Sequence, residues 1–587
     1  MKESIDLGMT ETEIIEENVL TANNDTKIHM DQNILTEKAS KDNQCDSLSI
    51  TTAADHANNT AVDSSLHETK RTSNWYKRLF GDIYATDDPY DYSEGKKNFI
   101  ILLVALSGIA GPMSSMMYMP ALLTVVRDLH TTTSAVNGSV SAFVVFMGIS
   151  PLFWAALSDT YGRKRMYMFS GMITVVSSVI SALSTNIGML IAFRALQSFG
   201  SNAGTSLGAG VIADMIPVEN RGKAYGIFYA GPLLGPVIGP TIGGFLCQYL
   251  GWRSTFYFTA ILCGVLLCLT SVFLPETLRK VKPRPNNNEK NNLEDAVSLT
   301  STTVHPSPNQ HLSVRETLAL SFKPMITMLH DPNVIILTIN SSIIFASLYI
   351  LNPTITQTFK RIYGYNEWQT GLCYLSLGGG FMVGSIISGR HSDHILKKLS
   401  KKRGDGQKIV SEMRLQAAFP SFLSMPAGYL IYGWTTEKDT GIYAPIIGLF
   451  LYALGQMWAF TPTSVYLVDT KPGYSATAVG VNACIRGIAA AITTVFSSTA
   501  VDALGNGIMF TILGVVGFLN GGLVLLCYFR GTQWRRRFEQ KHMPDLYILN
   551  NPQLFDSTDV KPMDDPKLQQ NINQLEKIHT QHSTCIA

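Results

Sequence analysis

The chain has 587 residues, 46% hydrophobic and 15% charged, a charge content far below the roughly 25% of soluble globular domains. Polar residues gather in residues 1–97, between about 279 and 332, and after Tyr528, so the remainder is too apolar for an ordinary soluble domain. Eight cysteines, without a CxxC pair and mostly in apolar runs, argue against a disulfide framework or a zinc site, and a net charge of +2 says little about partners.

Residues 1–97 are rich in Asn, Thr, Ser, Asp and Glu and read as a disordered cytosolic tail, open to phosphorylation, with a short element at Trp75–Phe80 able to touch a membrane surface. No apolar run follows Met1, so no cleavable signal peptide is expected and insertion falls to the first spanning helix. Apolar runs of spanning length then follow at Phe99–Leu123, Ser139–Leu157, Met166–Leu183, Gly188–Ile212, Tyr225–Leu246 and Thr255–Leu274. After a polar linker come Val334–Ile350, Thr370–Ile387, Ala417–Tyr432, Tyr443–Leu467, Ala478–Ser498 and Gly507–Tyr528. This is an all-α polytopic membrane protein, with twelve transmembrane helices in two six-helix halves at 98–278 and 333–528. A cytosolic linker at 279–332 joins them, and a cytosolic tail fills 529–587. Loops on the side of the N-terminus carry twenty-one Lys and Arg, those on the opposite side five. The positive-inside rule therefore puts both termini in the cytosol.

Three segments carry mechanism. Between the second and third runs, Asp159-Thr-Tyr-Gly162-Arg163-Lys-Arg165 sets a carboxylate, a turn glycine and three cations at a cytosolic helix end. Such a cluster can lock neighbouring helices, or simply anchor the loop. In the fourth run Arg194 stands inside apolar sequence, at a cost of roughly 2.5–3.5 kcal/mol on insertion scales, so it should face the bundle interior or snorkel to the interface. In the fifth run Gly231, Gly235, Gly239 and Gly243 recur every four residues beside Pro232, Pro236 and Pro240. Glycines at that spacing make a smooth groove for a neighbouring helix. The eighth run, with Gly378, Gly379, Gly380 and Gly384, is the expected partner.

These segments resemble the signatures of the major facilitator superfamily. The Asp159, Gly162 and Arg163 loop looks like the family's signature loop, with Ala155 and Thr160 where the family usually has Gly and a cation. The resemblance implies a conformational latch in which Asp159 and Arg163 join an acidic residue at the end of the fourth span, where Asp214 stands. The second half echoes the loop only weakly, as Gly389-Arg-His-Ser-Asp393. Arg194 and Gln197 resemble the family's Arg-x-x-Gln-Gly motif, with Ser198 replacing the glycine, and this implies a link to proton coupling. Gly226, Gly235, Gly239, Pro240, Gly243 and Gly244 fill every fixed position of the motif typical of facilitator antiporters. Tyr118-Met-Pro120 in the first run and Leu274-Pro275-Glu276-Thr277-Leu278 after the sixth are similar to fungal drug:proton antiporters, closest to the quinidine-resistance and dityrosine transporter subgroup.

The interior charges bear on substrate. No Asp or Glu falls well inside a predicted span, whereas Arg194 and Arg486 do, so weak organic acids or neutral solutes are favoured over bare cations. Tyr118, Tyr229, Tyr349, Trp458 and Phe460 are candidate cavity residues, able to hold an amphipathic cation or simply to pack. The titrating residue is left open between Asp159, Asp214 and groups not identified.

The sequence thus predicts a proton-coupled antiporter for multidrug or weak-acid efflux, not an enzyme, acting at the plasma membrane or alternatively at a vacuolar or prospore membrane. Its expected partners are a small organic substrate, protons and the lipid bilayer, with no nucleic acid. It should work as a monomer, without cofactor or metal, on the proton gradient. Proton-coupled uptake and a non-transporting nutrient receptor are the competing readings.

Overall fold

The computed structural model describes residues 88–216, 221–278, 325–403, 411–471 and 475–542. The predicted element at Trp75–Phe80, most of the linker and most of both tails lie outside the described residues. Every predicted apolar run falls on helix, and no strand occurs among the described residues. In the first half these are α1 (Glu94–Met117), a 3-10 turn at Met119–Ala121, α2 (Leu122–Asp128), α3 (Thr133–Tyr161), α4 (Arg163–Ala182), α5 (Ile187–Ser201), α6 (Ala203–Met215), α7 (Arg221–Leu250) and α8 (Arg253–Phe273). In the second half come α9 (Pro332–Ile362), α10 (Glu367–Arg403), a 3-10 segment at Ser411–Ala418, α11 (Ser421–Glu437), α12 (Tyr443–Thr470) and α13 (Ser475–His542).

Nine helical stretches among the described residues are long and apolar enough to cross a membrane. The difference from the twelve predicted runs has local causes. The fourth run is divided at Asn202 into α5 and α6, of 15 and 13 residues, and the ninth, α11, has only 17. The eleventh and twelfth runs are joined in α13, which bends at Gly505 with φ 76°. That value suits glycine, and a Cβ there would also lie 3.0 Å from the Glu437 carboxylate oxygens. The helix also runs past the predicted end of the twelfth run at Tyr528. Helix α13 continues to His542 because Arg535, Phe538 and Glu539 all find buried partners.

Side-chain caps fix several helix starts. Thr132 Oγ1 accepts from Ala135 N (3.3 Å), Asn186 Oδ1 from Met189 N (2.8 Å), and Asp331 Oδ1 from Asn333 N (2.9 Å) with Pro332 at the first helical position. The hydroxyl-rich α4 satisfies its polar groups internally. Thr174, Ser177 and Ser178 donate to carbonyls four residues back, as a helix in lipid must arrange for itself.

In the assembled bundle α1 packs against α7, α3 against α13, α7 against α10 and α9 against α13. Among the described residues, the hydrogen bonds between the two halves fall in the middle of the helices and in the part remote from Asp159 and Asp214. They include Asn137 Nδ2 to Ser498 Oγ (2.9 Å), Thr356 Oγ1 to the Met119 carbonyl (3.0 Å), Thr241 Oγ1 to the Gly371 carbonyl (3.2 Å) and Thr124 Oγ1 to Glu367 Oε1 (2.8 Å). That end of the molecule is the fastened one.

Candidate functional site

The α3–α4 turn gathers the predicted charges. Gly162 takes φ 98°, a left-handed value that favours glycine, and delivers Arg163 to the start of α4. Arg163 Nη2 lies 2.6 Å from Asp159 Oδ1, and its Nε lies 3.0 Å from Asp214 Oδ2. All four predicted residues therefore meet at one place.

Two members of the cluster were not assigned a place in it from sequence. Glu276, from the Leu-Pro-Glu-Thr-Leu ending, accepts backbone N–H bonds from Arg163 (2.8 Å), Lys164 (3.1 Å), Thr277 (2.9 Å) and Leu278 (3.0 Å). It caps the N-terminus of α4, where unpaired donors and the helix dipole favour negative charge. Gly210 is the second, since a Cβ there would come within 2.7 Å of the Arg163 Cζ. Burial pushes the Glu276 carboxyl above its ordinary range, against the pull of its four N–H donors. Asp214, past the end of the predicted fourth span, is likewise pushed up by burial, with Arg163 pulling it back.

The second half has its own ionic assembly, of which the sequence displayed only Asp393. Arg414 Nε sits 3.0 Å from Asp469 Oδ2 and its Nη1 3.5 Å from Asp393 Oδ1. The missing arginine of the second loop is thus supplied from the 3-10 segment rather than from the turn itself. Nearby, Lys471 Nζ lies 2.6 Å from Asp331 Oδ2 and 3.3 Å from Glu539 Oε1, with all three side chains at 0% exposure. Glu412 pairs with Arg535 Nε at 3.1 Å and accepts from Tyr466 Oη at 3.4 Å.

Arg194 faces the bundle interior and does not snorkel, for its relative exposure is 0%. Its Nη1 donates to the Ser114 carbonyl and to Gln197 Oε1, both at 3.0 Å. The rings of Phe143, Tyr118 and Phe256 stand 4.3, 4.8 and 5.7 Å from its Cζ. Ser198, in place of the family's glycine, donates to the Phe143 carbonyl. Arg486 is held differently. Phe345 and Phe460 lie 4.0 and 5.1 Å from its Cζ, and no hydrogen bond or ion pair of its guanidinium occurs among the described residues. Tyr349 feels both arginines electrostatically and shares a hydrogen bond with Ser115 Oγ at 3.4 Å.

The other two aromatic candidates lie apart from this cluster. Tyr229 is 51% exposed and stacks on Tyr225 at 6.0 Å, while Trp458 packs edge-on against His391 at 5.6 Å.

The glycine stripe of α7 meets a different partner from the one expected. A Cβ at Gly231 would strike the Ala105 carbonyl, at Gly235 it would lie 2.7 Å from Met113 N, and at Gly243 it would strike the Met117 carbonyl. All three glycines face α1. Gly239 faces α1 more loosely, at 3.3 Å from the Met113 carbonyl, and Gly226 has nothing within 4 Å. The eighth run meets another face of α7, where Gly371 sits 2.6 Å from the Pro240 carbonyl, Gly378 2.5 Å from Val237 Cα and Gly244 2.5 Å from the Glu367 carbonyl, each measured from a built Cβ. Gly380 and Gly384 point instead to α12. The four-residue spacing located the stripe on α7 but could not tell which faces would meet.

Comparison with known proteins agrees with this architecture. The sequence model of the Major Facilitator Superfamily matches residues 104–494. The MFS antiporter QDR3 of Candida albicans is 28% identical over 78% of this chain and 81% of its own length. Dityrosine transporter 1 of Saccharomyces cerevisiae is 30% identical over 75% of this chain and 82% of its own. The solved D-xylose-proton symporter shares the fold at TM-score 0.53, with 16% identity over 73% of this chain and 97% of that chain. The chain therefore belongs to the major facilitator superfamily of membrane carriers, beside its fungal quinidine-resistance and dityrosine transporters.

Proposed function

We propose that this chain is a proton-coupled antiporter that exports small organic molecules from the cytosol, with weak organic acids as the preferred substrates. It alternates access between two helical halves at the plasma membrane, works as a monomer, and draws on the proton gradient without a cofactor. Both termini and the Asp159–Arg163–Asp214 cluster lie on the cytosolic side, so the fastened end faces outward. The cytosolic cluster then serves as a latch within the first half, tying the α3–α4 turn to Asp214 and to Glu276. The complete antiporter motif on α7 and the antiporter named among the relatives favour export over uptake.

Arg486 carries the substrate reading. Arg194 is committed to a carbonyl, an amide and three rings, whereas among the described residues the Arg486 guanidinium makes no hydrogen bond or ion pair and lies between Phe345 and Phe460, with Tyr349 nearby. A cation in a low-dielectric cavity attracts an anion several-fold more strongly than in water, and repels a cation comparably. Its planar multi-donor head suits a carboxylate, and the flanking rings suit an apolar body. Transport into inside-out vesicles with an acidic lumen, across a panel of acids, amines and drugs, tests the proposal. Accumulation of organic acids that collapses with the pH gradient is the expected result. Accumulation under the opposite gradient would mean uptake, and none under either would favour a receptor.

A further inference from the structure

The fastened end is held mostly by neutral groups, and one bond across it is accepted by a carboxylate. Glu367 opens α10, just ahead of the predicted eighth span. Its Oε1 accepts from Thr124 Oγ1 of α2 at 2.8 Å and from Lys360 Nζ of α9 at 2.9 Å. One carboxylate oxygen thus joins the two halves. Its side chain is 14% exposed, and that of Lys360 is 39% exposed. The same junction ends the antiporter motif, with Gly244 against the Glu367 carbonyl and Trp368 stacked on Phe245 at 5.7 Å.

The surrounding charges are few. From α2 come Asp128 and Arg127, paired with each other at 3.5 Å. The end of α7 contributes the buried Cys247, which feels Glu367, Lys360 and Asp128 together. Arg361 on α9 is engaged by Asp502 at 2.6 Å. That pair lies within the second half, so its loss would not separate the halves.

We propose that Glu367 is the group through which external protons release the outer closure. Ionised, it holds Thr124 across the seam while paired with Lys360 of its own half. A proton taken from outside water onto the carboxylate cancels its charge, leaves the Lys360 ammonium without its counter-ion and weakens the acceptor facing Thr124. The sign follows from linkage. A carboxylate that accepts from Thr124 as well as from Lys360 takes up a proton less readily than one that keeps Lys360 alone, so protons bind the opened form more tightly. The closure is therefore complete above the pH at which a free carboxylate titrates, and is lost as pH falls through the point where the paired one protonates. Its place in transport rests on the antiport reading, but its pH response does not.

The test is amide hydrogen exchange of the full chain in nanodiscs, comparing wild type and variants at matched pH so that intrinsic exchange rates cancel. At neutral pH, Glu367→Gln should speed exchange in Met119–Thr131 and Lys360–Thr370 by about two- to fivefold, the factor expected from one partly exposed ion pair. That difference should vanish in acid, where the wild-type carboxylate is protonated too. Lys360→Met should keep a pH response but move it to higher pH, because the carboxylate has lost its cation. Unchanged exchange in α4 verifies the fold of each variant. Wild-type rates for Glu367→Gln at neutral pH, or a difference that persists unchanged into acid, would overturn the assignment. Transport driven by a pH gradient is measured on the same samples. Its absence in wild type, beside an intact exchange response, would count against antiport and leave the role of Glu367 in the closure standing.

Discussion

The α7 stripe makes a graded prediction, because its glycines differ in the space each leaves. Replacing one by alanine in a helix interior contributes about 0.5–1 kcal/mol of stability where nothing obstructs the methyl group. Gly226→Ala should gain this, having nothing within 4 Å. Gly239→Ala meets the Met113 carbonyl at 3.3 Å and Met117 N at 3.4 Å, so a small shift should cancel the gain and leave stability near wild type. Gly235→Ala lands 2.7 Å from Met113 N and 2.8 Å from Pro112 Cβ, rigid parts of α1 that cannot swing aside. Overpacking of this kind costs about 1–3 kcal/mol. Gly231→Ala and Gly243→Ala strike carbonyl oxygens and should be worst. An α1 pushed outward would also strain the Thr356 bond to the Met119 carbonyl, so transport should fall along with stability. Gly239→Leu is too large to be absorbed and should lose transport outright. The assay is the fraction of each purified variant that stays monodisperse after a heating series, with initial transport rates normalised to surface protein. If Gly235→Ala and Gly243→Ala are as heat-resistant as Gly226→Ala, the seating of α7 on α1 is wrong.

Three further outcomes are expected. Asp159→Asn should insert normally yet lose on the order of tenfold in turnover, about 1.4 kcal/mol, and normal export by a correctly localised variant would remove the latch assignment. Lys471→Met takes the buried cation away from Asp331 and Glu539 and should cost about 3–5 kcal/mol. Adding Asp331→Asn and Glu539→Gln should restore most of the loss in the same heating assay, and no rescue would refute the pairing. Arg486→Ala should raise KM for organic acids while admitting quaternary ammonium dyes, whereas Arg194→Ala should mainly lower the amount of folded protein. Saturable export of such a dye by the wild type, uncompeted by organic acids, would count against the substrate proposal.

The helices were legible because twenty-odd apolar residues in succession admit few other interpretations, and Gly162, Arg163 and Asp159 were legible because they are adjacent in sequence. What escaped were residues brought together from far apart. Glu276 lies over a hundred residues from the N–H groups it caps, and Arg414 reaches Asp393 and Asp469 from a segment with no signature of its own. Lys471, Asp331 and Glu539 read as ordinary polar flanks of three separate helices, and only their convergence makes them an interior triad. The same limit applied to Glu367, which looks like a first-turn acid until Thr124 is found opposite. Periodicity identified the glycine stripes, yet it contains no information on helix rotation. The expected α7–α10 pairing therefore named the wrong facing stripe, although the two helices do touch.

Arg194 has a consequence for how the protein is made. The segment that bears it is broken at Asn202 into two helices, each shorter than the nine long apolar stretches, and the arginine adds roughly 2.5–3.5 kcal/mol against entry into lipid. What offsets that cost comes from earlier in the chain: the Ser114 carbonyl and Tyr118 from the first crossing and Phe143 from the second. Phe256, from the sixth, is synthesised afterwards. The fourth crossing should therefore be more stable in the bilayer when the first two are held beside it at the site of insertion. Biogenesis of this half is thus a cooperative release of several helices, rather than a series of independent partitioning steps, and a defect at Ser114 or Phe143 would register first as failed assembly at the translocon.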